Sequence, residues 1–422
     1  MSRSTLWCSA CETELPIKSR VTRCPKCAGL LEVRLTDVRE NGAGLRRRFD
    51  ERLKLQRGVE RSGVWRYREV IYPAARDDEI VSHPEGNTPL IDRAAISDWA
   101  GVDGLLLKHE GHNPTGSFKD RGMTTGVTHA VRIGCRAIAC ASTGNTSASL
   151  AAYGAQAGLT AVVFIPAGKV ALGKMAQTLA YGATTLAVKG DFDTCLKLID
   201  AAGPDLGLYL LNSINPWRLE GQKAIVLEIL QQLAWQVPDW LVLPGGNLGN
   251  TSAFGKALRE ALELGIIDKV PRIAVIQAAG ASPFAQSFAE AFTTRPVVTA
   301  DTVATAIRIG DPASFDRAVA TIRLTNGVVS SVTDDEILAA KRLIDRAGVG
   351  CEPASAASVA GVRKLVAAGT IGRGETVVAV LTGHVLKDPE ILLRPGATTP
   401  PIEVGASVEE IGVALKGLGL GG

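Results

Sequence analysis

Lys119 lies in the segment His112-Asn113-Pro114-Thr115-Gly116-Ser117-Phe118-Lys119-Asp120-Arg121-Gly122. An apolar run, Gly104 to Leu107, and the polar residues Lys108-His109-Glu110 precede it. Small and apolar residues alternate behind it in a helical pattern. A lysine in the first turn of a helix sits at the positive end of the helix dipole. That end favours anions and depresses the pKa of a nearby amine. An amine that is partly neutral attacks a carbonyl and forms a Schiff base, so Lys119 is the candidate nucleophile.

Other turns offer groups that could hold a ligand beside such a lysine. Ser142-Thr143-Gly144-Asn145-Thr146-Ser147 brings hydroxyls, an amide and helix N–H groups together. That set suits an anion or a carboxylate, and ordinary helix capping is the alternative. In Pro244-Gly245-Gly246-Asn247-Leu248-Gly249-Asn250-Thr251 the glycines let backbone N–H groups approach a phosphate closely. The Gly-Lys-Ser/Thr ending of nucleoside-triphosphate loops is missing, and a plain structural turn is the alternative. In Asn212-Ser213-Ile214-Asn215-Pro216-Trp217-Arg218 a guanidinium fork and neutral donors match the geometry of a phosphate. The alternative for Arg218 is a surface ion pair with Glu220. Glu352, in Cys351-Glu352-Pro353-Ala354-Ser355-Ala356-Ala357, either orients a bound group or is an acid at a helix start. His384, in Leu381-Thr382-Gly383-His384, reads as structural rather than as a general base.

Four of the eight cysteines form two CxxC pairs, Cys8/Cys11 and Cys24/Cys27. Four thiolates at this spacing fit a tetrahedral zinc ion in a ribbon. A ribbon without metal, or one used in redox work, is the alternative. Cys135, Cys140, Cys195 and Cys351 are scattered in apolar stretches and read as core thiols of a reducing compartment.

Strand–helix alternation must position these turns. Gly104–Leu107, Ala137–Ala141, Thr160–Ile165, Thr184–Val188, Leu208–Leu211, Trp240–Leu243, Ile273–Ile276 and Val377–Leu381 read as strands. Asn145–Ala157, Ala171–Ala180 and Leu248–Leu264 read as helices between them. This pattern predicts an α/β fold, two parallel-sheet domains with a cleft between them. The expected divisions are a zinc-ribbon-like module over 1–35, a helical connector over 36–79, a catalytic core over 80–395 and a tail over 396–422. Within the core, a smaller mobile subdomain spans about 100–205. The basic stretch 44–57 reads as a solvated connector more than as a phosphate-binding face. A net charge of +3 and 5% aromatic residues disfavour a nucleic-acid partner. No apolar run reaches the length of a membrane span or a signal segment, and the cytoplasm is the expected compartment.

Taken in order and in strand–turn–helix context, the motifs over about residues 80–390 resemble one pyridoxal-phosphate-dependent superfamily. It has the tryptophan synthase β-like fold and includes threonine synthase, threonine dehydratase and cysteine synthase. Glu85-Gly86-Asn87-Thr88-Pro89-Leu90 resembles the motif that opens its catalytic core. The Asn212–Lys223 and Cys351–Ala357 blocks are similar to its threonine synthase branch. The resemblance implies that Lys119 carries the cofactor and that Asn145 meets its phenolic oxygen. It further implies that Gly245, Gly246, Asn247, Leu248, Gly249 and Asn250 cradle the cofactor phosphate, with Thr382 on the ring nitrogen. Ser142, Thr143 and Thr146 would bind substrate, with Ser142 and Thr143 at its phosphate or its carboxylate, and Asn212, Ser213 and Arg218 would hold its phosphate. Val385 stands where the family often has Gly. The implied reaction converts O-phospho-L-homoserine and water to L-threonine and phosphate, in a homodimer. A threonine or serine dehydratase and a phosphoserine-dependent β-replacement enzyme are the alternatives.

Overall fold

The turn that carries Lys119 is built where two parallel sheets share long helices. The computed structural model describes residues 4–36, 38, 40–168, 172–190, 195, 198–199, 203, 205–393 and 401–420. Strands β1 (Thr5–Cys8), β2 (Glu14–Pro16) and β3 (Leu31–Arg34) form an antiparallel sheet in the order β2-β1-β3. Ten more strands follow in the described residues: β4 (Leu90–Asp92), β5 (Leu105–His109), β6 (Ala137–Ala141), β7 (Thr160–Pro166), β8 (Thr184–Val188), β9 (Leu208–Leu210), β10 (Trp240–Pro244), β11 (Arg272–Ala278), β12 (Val328–Val332) and β13 (Val377–Leu381). The larger parallel sheet runs β12-β11-β10-β13-β5-β4, with only the edge strand β4 antiparallel. The smaller runs β8-β7-β6-β9, all parallel.

Sheet order decides which turns meet. β10 and β13 are buried along their whole length, as uninterrupted apolar runs covered on both faces should be. With β5 they form three adjacent parallel strands. The Gly245 loop, Thr382 and the Lys119 loop therefore leave neighbouring carboxyl ends, where open α/β sheets bind ligands. In the small sheet β6 and β9 are neighbours, which sets the Ser142–Thr146 turn beside Asn212 and Ser213. β12 was not foreseen because Ser330 and Ser331 interrupt its apolar run, and β4 is only a short edge strand.

The Lys119–Arg132 and Pro216–Gln232 helices join the two sheets. They touch backbone to backbone. A Cβ on Gly221 would strike the Arg121 carbonyl, and one on Gly122 would lie 2.7 Å from the Arg218 carbonyl oxygen. A fully buried charge cluster sits at this seam. Arg121 Nε and Nη2 donate to the two oxygens of Glu110, each at 2.7 Å, and Nη2 also meets Glu228 Oε1 at 2.8 Å. Lys108 Nζ donates to the same Glu228 oxygen at 2.6 Å. The amides of Asn87 and Thr88 donate to Glu228 at 2.8 and 2.9 Å. Two cations face two carboxylates, so the cluster is neutral and hydrogen-bonded, which a buried ionic group requires.

The cysteine-bearing sheet does not pack apart from the rest. Leu6, Cys8, Cys24, Leu31 and Val33 belong to one apolar cluster with Trp217, Phe254 and Phe315. The basic connector forms the helix Gly42–Arg52, which buries Leu45 and Phe49. Its Arg52 forms a two-point pair with Glu69, at 2.7 and 2.8 Å. Contacts divide the chain into Met1–Asp388 and Pro389–Gly422. The second unit carries the helix Val408–Gly417, started by the Ser407 side chain. Of the expected tail over 396–422, residues 396–400 and 421–422 lie outside the described residues.

Glu228→Ala would leave Lys108 and Arg121 with a single carboxylate in the interior. The expected cost is about 3–5 kcal/mol, read as a lowered urea midpoint. A loss under about 1 kcal/mol would mean that water reaches the cluster.

Candidate active site

Three backbone contacts fix the Lys119 turn to the end of β13. Phe118 N donates to Thr382 O at 3.0 Å, His384 N donates to Gly116 O at 2.9 Å, and Ser117 pairs with Gly383. Gly116 takes φ +85°, a conformation that favours glycine. Asp120 closes the turn, accepting from Thr115 N at 2.7 Å, Thr115 Oγ1 at 2.6 Å and Ser149 Oγ at 2.6 Å. Burial pushes its carboxyl up to about 6 against those hydrogen bonds. Lys119 opens the helix with its amine 4.1 Å from the centre of the Phe118 ring. Burial pulls that amine down to about 7; the positive charge of Arg218 acts in the same direction and Glu352 opposes it.

Glu352 joins the two sheets across the site. Thr382 Oγ1 donates to Glu352 Oε1 at 3.0 Å, and Asn145 Nδ2 donates to Glu352 Oε2 at 3.0 Å. Ser355 Oγ lies 3.1 Å from Thr382 Oγ1 and accepts from Gly383 N at 2.9 Å. Burial raises the Glu352 carboxyl, opposed by Asn145 and Thr382. Lys387 Nζ donates to Thr115 O at 2.9 Å and to Gln177 Oε1 at 2.5 Å, another bond between the two sheets' elements. His384 Nδ1 accepts from Leu386 N at 3.2 Å, a structural use of the imidazole.

The glycine loop follows β10. Leu248 adopts φ +62° and caps the Gly249–Glu263 helix without a side-chain hydrogen bond, leaving the first-turn N–H groups open. Asn250 Oδ1 and Thr251 Oγ1, in that first turn, are buried without partners. Asn247 is held from outside, with Ser314 N donating to its carbonyl at 3.2 Å. Gly245 N donates to Ile276 O at 2.7 Å, and a Cβ there would lie 2.5 Å from the Val275 side chain. An uncapped helix start and orphaned polar atoms fit a phosphate with a polar ring beside it.

The small sheet supplies the remaining expected residues. Ser142, Thr143, Gly144, Asn145 and Thr146 are all half-buried. The helix Asn145–Ala157 starts at Gly144 without a side-chain cap, so ordinary capping does not use up this turn. Asn212 is committed elsewhere: its amide donates to Ala141 O at 3.1 Å and accepts from Ala141 N at 3.2 Å. That pair of hydrogen bonds locks the two turns together. Ser213 is half-buried. Arg218 is fully buried, with Nη1 donating to Leu211 O at 3.0 Å while Nε and Nη2 have no partner. Its guanidinium is pulled down to about 10 by burial. The ion pair with Glu220 does not form, because Glu220 pairs with Lys223 and Lys256 at 2.6 and 2.5 Å. A desolvated cation with two open N–H groups is a site that awaits an anion.

The four ribbon thiols gather with every sulfur within 4.8 Å of the others. Cys8 and Cys27 are 3.5 Å apart, and Cys11 and Cys24 3.6 Å. Tetrahedral zinc with Zn–S near 2.3 Å sets sulfurs roughly 3.8 Å apart, so the donor set fits such an ion.

The residues missed in the sequence were those acting through others: Ser355, Asp120 and Lys387. One signal was available for Ser355, which lies three positions after Glu352 and so on the same helix face.

A family model described as pyridoxal-phosphate dependent enzyme matches residues 81–383. The chain is 48% identical over 416 residues to a threonine synthase of Methanosarcina acetivorans, covering 98% of each. It is 44% identical over 413 residues to a threonine synthase of Methanocaldococcus jannaschii, covering 97% of this chain and 99% of that one. Among solved structures, threonine synthase from Escherichia coli aligns with a TM-score of 0.72 at 22% identity, over 94% of this chain and 92% of that chain. This last likeness is one of fold.

An amine held near 7 is largely neutral just above that pH. Reductive alkylation of Lys119, followed by mass spectrometry, is expected to accelerate through pH 7 and then level off. A rate still climbing towards about 10, the range of an ordinary lysine, would contradict the depressed amine.

Proposed function

This chain belongs to the pyridoxal-phosphate dependent enzyme family, and from that premise we propose that it catalyses the threonine synthase reaction. O-phospho-L-homoserine and water become L-threonine and phosphate. The observation that carries the choice of substrate is Arg218, a buried guanidinium without a carboxylate whose charge is felt at Lys119. A substrate without a phosphate would leave that cation desolvated and unpaired. The full-length threonine synthase relatives support the same reading.

Lys119 would bond the cofactor aldehyde, and the Gly245–Asn250 loop with the open start of the Gly249–Glu263 helix would hold the cofactor phosphate. Thr382, backed by Ser355 and Glu352, would face the ring nitrogen, and Asn145 the phenolic oxygen. When bound, pyridoxal phosphate supplies an electron sink for negative charge developing on the substrate. Lys119 would carry protons at the substrate's Cα and Cβ; an amine near 7 is well matched to both directions of transfer. Ser142, Thr143 and Thr146 would orient the substrate carboxylate. Arg218 and Ser213 would hold the phosphate that leaves from Cγ before water adds at Cβ. Asn212 fixes the turn from which they act.

The same reading places zinc in the Cys8, Cys11, Cys24 and Cys27 cluster as a structural ion. By family resemblance it also includes a homodimer in the cytoplasm. No helix of the described residues is long and apolar enough to cross a membrane.

Purified protein reconstituted with pyridoxal phosphate is expected to show a visible absorption band that Lys119→Ala abolishes. A colourless wild-type protein would refute the cofactor assignment. Phosphate and threonine should appear in step from phosphohomoserine. Arg218→Ala is expected to lower kcat/KM for that substrate by about 10²–10³-fold, the usual loss for a key electrostatic donor. Unchanged activity in this variant would favour a dehydratase.

A further inference from the structure

The cysteine ribbon lies far along the chain from the cofactor loop, yet a short series of contacts connects them. Cys8 faces Leu31 across the β1–β3 pair. The Leu31 carbonyl accepts from Arg317 Nη2 at 2.7 Å, and the neighbouring Glu32 carboxylate lies 3.4 Å from Arg317 Nε. Arg317 is only 8% exposed; its Nε and Nη1 complete no hydrogen bond, so its guanidinium is held through the Leu31 carbonyl and the charge of Glu32. It sits on the helix Phe315–Leu324, directly after Ala313 and Ser314. Ser314 N donates to Asn247 O at 3.2 Å, and Ala313 N lies 3.4 Å from Asn247 Oδ1. The same helix is seated on the first turns of the Gly249–Glu263 helix, where Thr321 Oγ1 donates to Thr251 O at 3.2 Å. Glu32 also reaches Arg259 of that helix at 3.5 Å.

From these contacts we infer that the metal-loaded ribbon is a positioning element for the cofactor-phosphate loop, and that Arg317 is the positioning residue through which it acts. Four thiols tied to one ion would fix the end of β1 and the turn that leads into β3, beyond what the shared apolar core holds. Without the ion, Leu31 O and Glu32 lose their fixed place, and a buried guanidinium loses its partners. Leaving a buried cation without its partners is costly, so the Phe315–Leu324 helix shifts and Asn247 moves with it.

The inference rests on the reading that the chain binds both zinc and pyridoxal phosphate. Zinc content and the visible band of the untreated full-length protein test that reading before any coupling is measured. Stripping zinc with a chelator is expected to raise the Kd for pyridoxal phosphate about 10-fold (~1.4 kcal/mol), with recovery when zinc is restored. Arg317→Met, with zinc still bound, should weaken cofactor binding to a similar degree. Stripping zinc from this variant should add little, and Arg317→Lys should recover part of the affinity. A change of about twofold or less on stripping, with circular dichroism unchanged, overturns the inference. So does an Arg317→Met protein in which stripping keeps its full effect. If the stripped wild type loses its fold, zinc-loaded Arg317→Met decides: wild-type cofactor affinity overturns the inference, and weakened affinity supports it.

Discussion

The site depends first on the buried neutral cluster of Lys108, Glu110, Arg121 and Glu228. Arg121 follows Lys119 by two residues, and its guanidinium has fixed partners on every side. Because no member can leave without stranding a charge, the start of the Lys119 helix cannot rotate or slide. The amides of Asn87 and Thr88 end on the same Glu228 carboxylate. One group thus fixes the opening motif, the end of β5 and the helix that carries Arg218. The position of the Lys119 amine follows from this charge cluster together with the contacts that tie its turn to the end of β13.

Above that base, strand order does the assembling. β10, β13 and β5 are adjacent, so three turns distant in the chain emerge side by side. Glu352 then spans the gap to the small sheet by holding Thr382 with one oxygen and Asn145 with the other. The carboxyl is buried and disfavours its charge, so the groups around a bound ring would be linked through a single shared side chain.

Local features were legible in the sequence where local physics decides them. The bounds of β6, β8, β13 and the Asn145–Ala157 helix were readable because apolar runs and small-residue turns mark them. The lysine turn, the glycine loop and the CxxC pairs could be located in the sequence because the chemistry proposed for them constrains their spacing. Partnerships across the fold were not. Nothing near Asn212 announces that both ends of its amide are taken by Ala141. Arg317 and Leu31 are separated by 286 positions, so no periodic pattern joins them. The ribbon read as a separate module because its sheet is local, while the core that it shares with Trp217 and Phe254 is not.

The pair of hydrogen bonds between Asn212 and Ala141 bears on substrate choice. It makes the ends of β6 and β9 one rigid piece, so the turn proposed to hold a carboxylate and the segment proposed to hold a phosphate move as one. On that proposal the small sheet would act as a caliper whose jaws are set at a fixed span. One methylene more or less in a substrate changes binding by only about 1–3 kcal/mol in a yielding pocket. Between jaws that cannot adjust independently, a chain of the wrong length would give up one of its two grips, and discrimination by length would become a property of the backbone.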